Sequence, residues 1–237
     1  MWLTQAAAAV GVGAAVFLEA WVCDRWSGRL AAAACGACDH CGGIAVDAAP
    51  WGLFDPRHHC RRNPSAALPA CAGVLAGLSC LSSVTYSGMA FSAAALLFLT
   101  AIAAIDFREG VIPDFITVPM LFAGLATALF FPSVHPPEVA LAGALCGWFV
   151  PSAAQLIFRS LSGRHGIGGG DVKALAAIGC WFGAAGLAWT LALGMPLLAI
   201  WIGRARLKEE YRLGPLLFFG SALYLALRPL FPGVFTP

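Results

Sequence analysis

The sequence predicts an all-α, polytopic membrane protein of about eight transmembrane helices, and three observations carry that prediction. Of the 237 residues, 60% are hydrophobic and 11% are charged. The mean hydropathy is +0.81, outside the range of soluble domains. Apolar runs able to cross a hydrocarbon core of about 30 Å recur along most of the chain.

In order, the predicted spans lie near Leu3–Val22, Ala66–Tyr86, Phe91–Ile105, Phe115–Phe131, Glu138–Phe158, Val172–Phe182, Leu187–Ile202 and Pro215–Leu230. The first has no Lys or Arg before Arg25. It therefore lacks the basic region of a signal peptide and reads as an uncleaved helix. Glu19, late in this helix, reads as a carboxylate reaching the interface near Arg25. Ala66 to Ile105 is too long for one span, and the polar stretch from Ser82-Ser83 to Ser87-Gly88 offers a turn. Asp171 to Gly203 as a single helix would reach roughly 50 Å, so a break is placed at Gly183-Ala184-Ala185-Gly186.

Charge supports these divisions. Arg25, Arg29, Arg57, Arg61 and Arg62 follow the first span, and Arg108 the third. Arg159, Arg164 and Lys173 follow or flank the fifth, and Arg204, Arg206, Lys208 and Arg212 follow the seventh. With eight spans, all of these fall on one side and only Arg228 falls towards the other. The positive-inside rule makes that side cytoplasmic and both termini external. Merging the Val172–Ile202 pair would carry four basic residues across the bilayer. The organisation expected is a first helix (1–22), a short cytoplasmic cysteine-rich segment (23–65) and a transmembrane core (66–237). Trp2, Trp51, Trp148 and Trp181 read as interfacial anchors or lipid-facing bulk. Cys23, Cys71, Cys80, Cys146 and Cys180, in or beside apolar spans, read as packing residues.

Topology brings two acids to one membrane depth. The third span ends on the cytoplasmic side at Asp106, and the sixth begins there at Asp171. An acid in a membrane segment is costly unless paired or used. The plainer reading makes both merely interfacial, with Asp171 a favourable acid at a helix N-terminus. Three glycines, Gly168-Gly169-Gly170, precede Asp171 and permit the close backbone approach of a catalytic turn. Two carboxyls in one small site share a proton. Such a pair is the minimum equipment for acid/base hydrolysis by water. Neither a metal nor another cofactor is required.

The string from Ile167 to Gly183, with Gly168-Gly169-Gly170-Asp171-Val172-Lys173 at its head, resembles the type IV prepilin peptidases, intramembrane aspartic proteases of the Gly-x-Gly-Asp type. The run from Ala104 through Asp106 to Pro113-Asp114 is similar to that family's first aspartate motif, and Arg212–Leu217 to its late Gly-Pro segment. Val12–Glu19 is similar to the family's first helix, with Glu19 where the family usually has Asn. The resemblance implies that Asp106 and Asp171 are catalytic. It also implies that Gly168 and Gly170 shape the second site, and that Asp114 and Lys173 support it. It further implies a bacterial inner-membrane endopeptidase that removes the short basic leader of prepilins or pseudopilins at the cytoplasmic face, with the lipid bilayer as its other partner. Glu109, Glu209 and Glu210 are candidates to receive that leader, or simply balance nearby basic residues.

Members of this family often carry two Cys-x-x-Cys pairs after the first helix. Here Cys35, Cys38 and Cys41 are followed by His58-His59-Cys60. The resemblance implies a structural zinc held by Cys38, Cys41, Cys60 and either Cys35 or His59. The alternative is a set of reduced, unliganded thiols. Many relatives also methylate the new N-terminus, so S-adenosylmethionine is expected only if that activity is retained. A rival from another class is a proton- or metal-coupled transporter using the paired aspartates, but the related halves of a transporter are not seen in the sequence. A non-enzymatic assembly subunit with the same fold is a third possibility. No phosphate-binding loop is present, and topology accounts for the basic residues, so nucleic acid is not an expected partner. His135, in a short external Pro-rich loop, has no catalytic role in this topology.

Overall fold

A computed structural model describes residues 7–19, 22, 73–74, 77, 86–163, 167–204 and 213–231. The described residues form α1 (Ala7–Glu19), α2 (Tyr86–Glu109), α3 (Asp114–Phe130), α4 (Pro137–Ser162), α5 (Gly169–Arg204) and α6 (Leu213–Leu227). The expected all-helical class is therefore met among these residues. By length and composition, Ser87–Phe107, Pro137–Ser162 and Gly169–Pro196 can each cross a membrane. Ser87 and Gly88, expected in a turn, belong to α2 instead. The helix also runs past Asp106 to Glu109, which places this acid in its last turn rather than beyond it.

Local sequence explains the boundaries. Gly110 adopts a φ of 68°, and its N–H reaches the Asp106 carbonyl at 2.9 Å, a left-handed glycine stop for α2. Pro113, extended at φ −79° and ψ 135°, then precedes α3. Pro136-Pro137 opens α4, and Gly163 at φ 67° closes it with its N–H on the Arg159 carbonyl.

Within α5 the backbone departs from helix at Gly183, with φ 72° and ψ 174°. An L side chain rarely adopts that conformation, and a Cβ here would also stand 2.6 Å from Val139 Cγ1. The contacts on either side show what the break does. Before it, Leu175 and Gly179 lie against Gly147 and Gly143, so this arm runs antiparallel to α4. After it, Gly186 lies near Tyr224 and Gly194 near Leu216, antiparallel to α6. Gly214, at the start of α6, touches Asp106. The second arm therefore returns towards the end of the bundle from which the first began. The sequence-predicted division at Gly183–Gly186 corresponds to this reversal.

A membrane helix that breaks must satisfy its interrupted hydrogen bonds within the protein. His135 does this from the α3–α4 loop. Its Nε2 lies 2.7 Å from the Cys180 carbonyl, which can only accept, so Nε2 carries the proton. The imidazole is buried and tilted over Phe91 at a centroid distance of 5.6 Å. Phe91 also meets Trp181 at 4.9 Å, and Phe182 meets Tyr224 at 5.7 Å, which makes an aromatic layer around the reversal. Trp181 differs from the interfacial reading of the sequence. It is 2% exposed, and its Nε1 donates to the Met120 carbonyl at 2.8 Å. Gly124 makes this possible, since a Cβ there would lie 2.8 Å from the indole. Trp148 is partly exposed, as expected of a lipid-facing residue, while Trp2 and Trp51 lie outside the described residues. Cys180 is buried and packs as expected; Cys146 is exposed on α4.

Burial lowers the pKa of His135 from its usual 6.5, and the Arg228 charge lowers it further, while the bond to the Cys180 carbonyl acts the other way. The folded state therefore favours neutral imidazole, and below about pH 6.5 the unfolded chain binds the extra proton. This contribution to stability is complete above that pH and is lost as the pH falls towards the folded pKa. Thermal melts in detergent should show an acid-side loss of stability that is smaller in His135→Gln, which keeps an N–H donor but does not titrate. Equal acid slopes in the two proteins would assign the loss to other groups.

Small residues bring the helices together. On α1, Ala9, Val12, Val16 and Glu19 form one inward stripe. Gly13 approaches Gly73 so closely that a Cβ would lie 2.8 Å from its carbonyl oxygen, and Gly77 lies against Ala9. Glu19 departs from the interfacial reading. It is only partly exposed, and its Oε2 is buried with no hydrogen-bond partner among the described residues. Its position three residues after buried Val16, on the same face, accounts for this placement.

Candidate active site

Three helix ends and one loop meet at the end of the bundle opposite His135. Asp106 comes from the last turn of α2, and it is 4% exposed. Its Oδ2 accepts a hydrogen bond from the Gly214 N–H at 2.6 Å. Gly214 is the second residue of α6, so this N–H is one of the donors that a helix start leaves unpaired. The positive end of the helix dipole also favours a carboxylate there. A side chain at Gly214 would displace the acid, since its Cβ would lie 2.7 Å from Asp106 Cβ and 2.9 Å from Oδ2. Pro215 follows in the first turn, where its missing N–H costs nothing. Gly214 is a contact of Asp106 that sequence reasoning missed. The Gly-Pro step marked the helix start but not the carboxylate it would hold.

Asp171 lies in the first turn of α5 and is half-buried. Its Oδ2 accepts from the Gly168 N–H at 3.1 Å. This is the backward half of a capping box, in which an acid at the third helical position returns to the cap amide. A Cβ at Gly168 would stand 3.2 Å from the same oxygen, so this glycine keeps the turn tight. Gly170 faces the other way, against the α2–α3 loop. A Cβ there would meet both Ile112 Cβ and its carbonyl oxygen at 3.0 Å. Two residues along from Asp171, Lys173 Nζ donates to Asp114 Oδ2.

All the sequence-predicted residues of the core therefore lie at one end. Asp106, Asp114, Gly168, Gly170, Asp171 and Lys173 gather around the short loop between α2 and α3. Asp106 is enclosed, and Asp171 is open enough to be reached from outside. The α4 helix runs on past this level. Gly147 lies against Leu175, and the turns beyond Pro151 expose Leu156, Ile157, Phe158 and Leu161. Cys35, Cys38, Cys41, His59 and Cys60, expected as zinc ligands, lie outside the described residues, as do Glu209 and Glu210.

The profile of the type IV leader peptidase family matches residues 93–227, which include every residue of this end. The chain belongs to that family. It is 35% identical over 217 residues to the prepilin leader peptidase/N-methyltransferase of Burkholderia pseudomallei (strain K96243), covering 81% of this chain and 69% of that protein. To the prepilin leader peptidase/N-methyltransferase of Dickeya chrysanthemi it is 35% identical over 167 residues, covering 66% of this chain and 59% of that one. The protein of the same description from Klebsiella pneumoniae is 40% identical over 101 residues, 43% of this chain and 44% of its own length. No solved structure matches the chain. As a member of a peptidase family with membrane-spanning helices, the chain is a membrane protease. The family match begins within α2, so α1 and the cysteine-rich segment lie outside it.

Proposed function

We propose that this protein is an intramembrane aspartic endopeptidase that removes the short basic leader of type IV prepilins or pseudopilins at the cytoplasmic face of the bacterial inner membrane. The observation that carries this reading is the convergence of Asp106 and Asp171 on one end of the bundle, one under the start of α6 and the other in an open capping turn. The activity named for the relatives points the same way.

The two carboxyls share one proton. The ionised member takes a proton from water as the water oxygen attacks the scissile carbonyl carbon, and the protonated member donates to the carbonyl oxygen. Collapse of the tetrahedral intermediate returns a proton to the departing amine. N-methylation of that amine would be a second activity, with S-adenosylmethionine supplying the methyl group. Purified protein in detergent should cleave a synthetic prepilin leader peptide after the leader. Folded protein that leaves such a peptide intact would defeat the reading.

The membrane arrangement proposed with it has eight spans, both termini external, and the aspartate end cytoplasmic. The reversal at Gly183 supports the split of α5 into two of these spans. On a background without native cysteines, labels at positions Arg57, Arg164 and Lys208 should be cytoplasmic. Labels at Ser133 and Ala184, both exposed, should be external. External labelling at Lys208 would mean that α5 crosses once.

A further inference from the structure

The ion pair between Lys173 and Asp114 joins the two chain segments that carry the aspartates. Asp106 leads directly into the loop that ends at Asp114, and Lys173 stands two residues after Asp171. Lys173 Nζ lies 2.5 Å from Asp114 Oδ2, and the side chains are 36% and 60% exposed. At that exposure solvent screens the pair, and ordering a long side chain opposes it, so it adds little to stability. Its placement gives it a different use.

Asp106 is fixed from one side by the Gly214 amide, which belongs to α6. The bond from Gly168 to Asp171 stays within one turn, so it sets the side chain's rotamer but not its position relative to Asp106. The segment after Asp106 meets the turn carrying Asp171 at Ile112 and at Asp114. One is Ile112 against Gly170, a van der Waals contact of the isoleucine's side chain and main-chain carbonyl that limits approach but is non-directional. The other is the Asp114–Lys173 pair, a charge-assisted hydrogen bond with a defined direction.

We propose that Asp114 and Lys173 are positioning residues, a clamp that holds the Asp171 turn in register with Asp106. The proposal rests on the reading of those two aspartates as the acid/base pair. A site of this kind tolerates little error, since a misplacement of about 1 Å can cost about 100-fold in rate. A clamp that contributes little stability is therefore able to control a large part of the turnover.

The test is a double-mutant cycle on the full-length protein. Asp114→Ala and Lys173→Met, which leave no acceptor and no donor for the bond, should each lower kcat by roughly 10- to 100-fold, with KM little changed and the melting temperature close to wild type. Because each acts through the other, the double variant should be no slower than the worse single. Lys173→Arg, which keeps a cationic donor, should recover most of the rate. Independent losses that multiply in the double variant would overturn the clamp, and so would single variants with normal kcat.

A second measurement is independent of peptidase activity. Spin labels at Phe107→Cys and Gly169→Cys, both exposed positions, report the spacing between the two segments. The distance distribution should be narrow in the parent, broad in Asp114→Ala and Lys173→Met, and narrow again in Lys173→Arg. An unchanged distribution would overturn the clamp even if cleavage failed altogether, whereas broadening without any cleavage in the parent would retain the clamp and defeat the peptidase reading.

Discussion

Asp106→Asn and Asp171→Asn should each abolish prepilin cleavage in protein that remains folded. Both replacements keep an acceptor oxygen of nearly the same shape. The new side-chain amide oxygen can still receive the Gly214 N–H in the first variant and the Gly168 N–H in the second, so the local hydrogen bonds survive. What is lost is titration. An amide neither takes a proton from water nor donates an acidic one to the carbonyl oxygen, and such acid/base steps contribute about 100- to 10,000-fold each. With both groups acting as a unit, the double variant should be no worse than either single. Single-turnover cleavage followed by the substrate's mobility shift measures the loss, and thermal melts verify the fold. Full processing by either variant would remove the pair from the mechanism. A dead Asp114→Asn beside an active Asp106→Asn would move the first aspartate to position 114.

The residues that gather at this end are more legible in the sequence than the contacts that hold them there. Asp106 and Asp171 stand out because acids are rare in apolar runs, and the distribution of basic residues puts them at one depth. The break at Gly183 is visible because an unbroken α5 would overshoot the bilayer and strand its basic residues. The partners that hold these features are backbone groups, and backbone groups leave no mark on the sequence. The Gly214 amide under Asp106, the Cys180 carbonyl on His135 and the Met120 carbonyl on Trp181 are all of this kind. Trp181 reads as an interfacial anchor because a tryptophan near a helix end usually is one. The space cleared by Gly124, 57 positions earlier, reverses that expectation. Proximity to Arg25 assigns Glu19 to the interface, whereas its phase relative to Val16 turns it inward.

The second large effect expected is structural and lies at Gly143. Here α4 and the first arm of α5 meet backbone to backbone. A Cβ at Gly143 would collide with the Gly179 carbonyl, and one at Gly179 would collide with the Gly143 carbonyl. The same seam continues at Gly147 against Leu175 and at Val139 against Gly183. In a bilayer, where lipid is as apolar as a side chain, this close contact is much of what draws two helices together. Gly143→Val cannot be absorbed by a rotamer change, because the obstruction is main chain on both sides. The helices must separate along the seam, and overpacking of this sort costs about 1–3 kcal/mol or more. The displacement would also reach Asp171, which begins the same arm. Gly143→Val should therefore lower the melting temperature by several degrees and reduce cleavage at temperatures where the protein is still folded. Gly11→Ala on α1, where a Cβ meets nothing within 4 Å, is the control and should resemble wild type in both. If Gly143→Val were as stable and as active as Gly11→Ala, α4 would not be seated against α5 in this way, and the reversal at Gly183 would lose the wall it packs on.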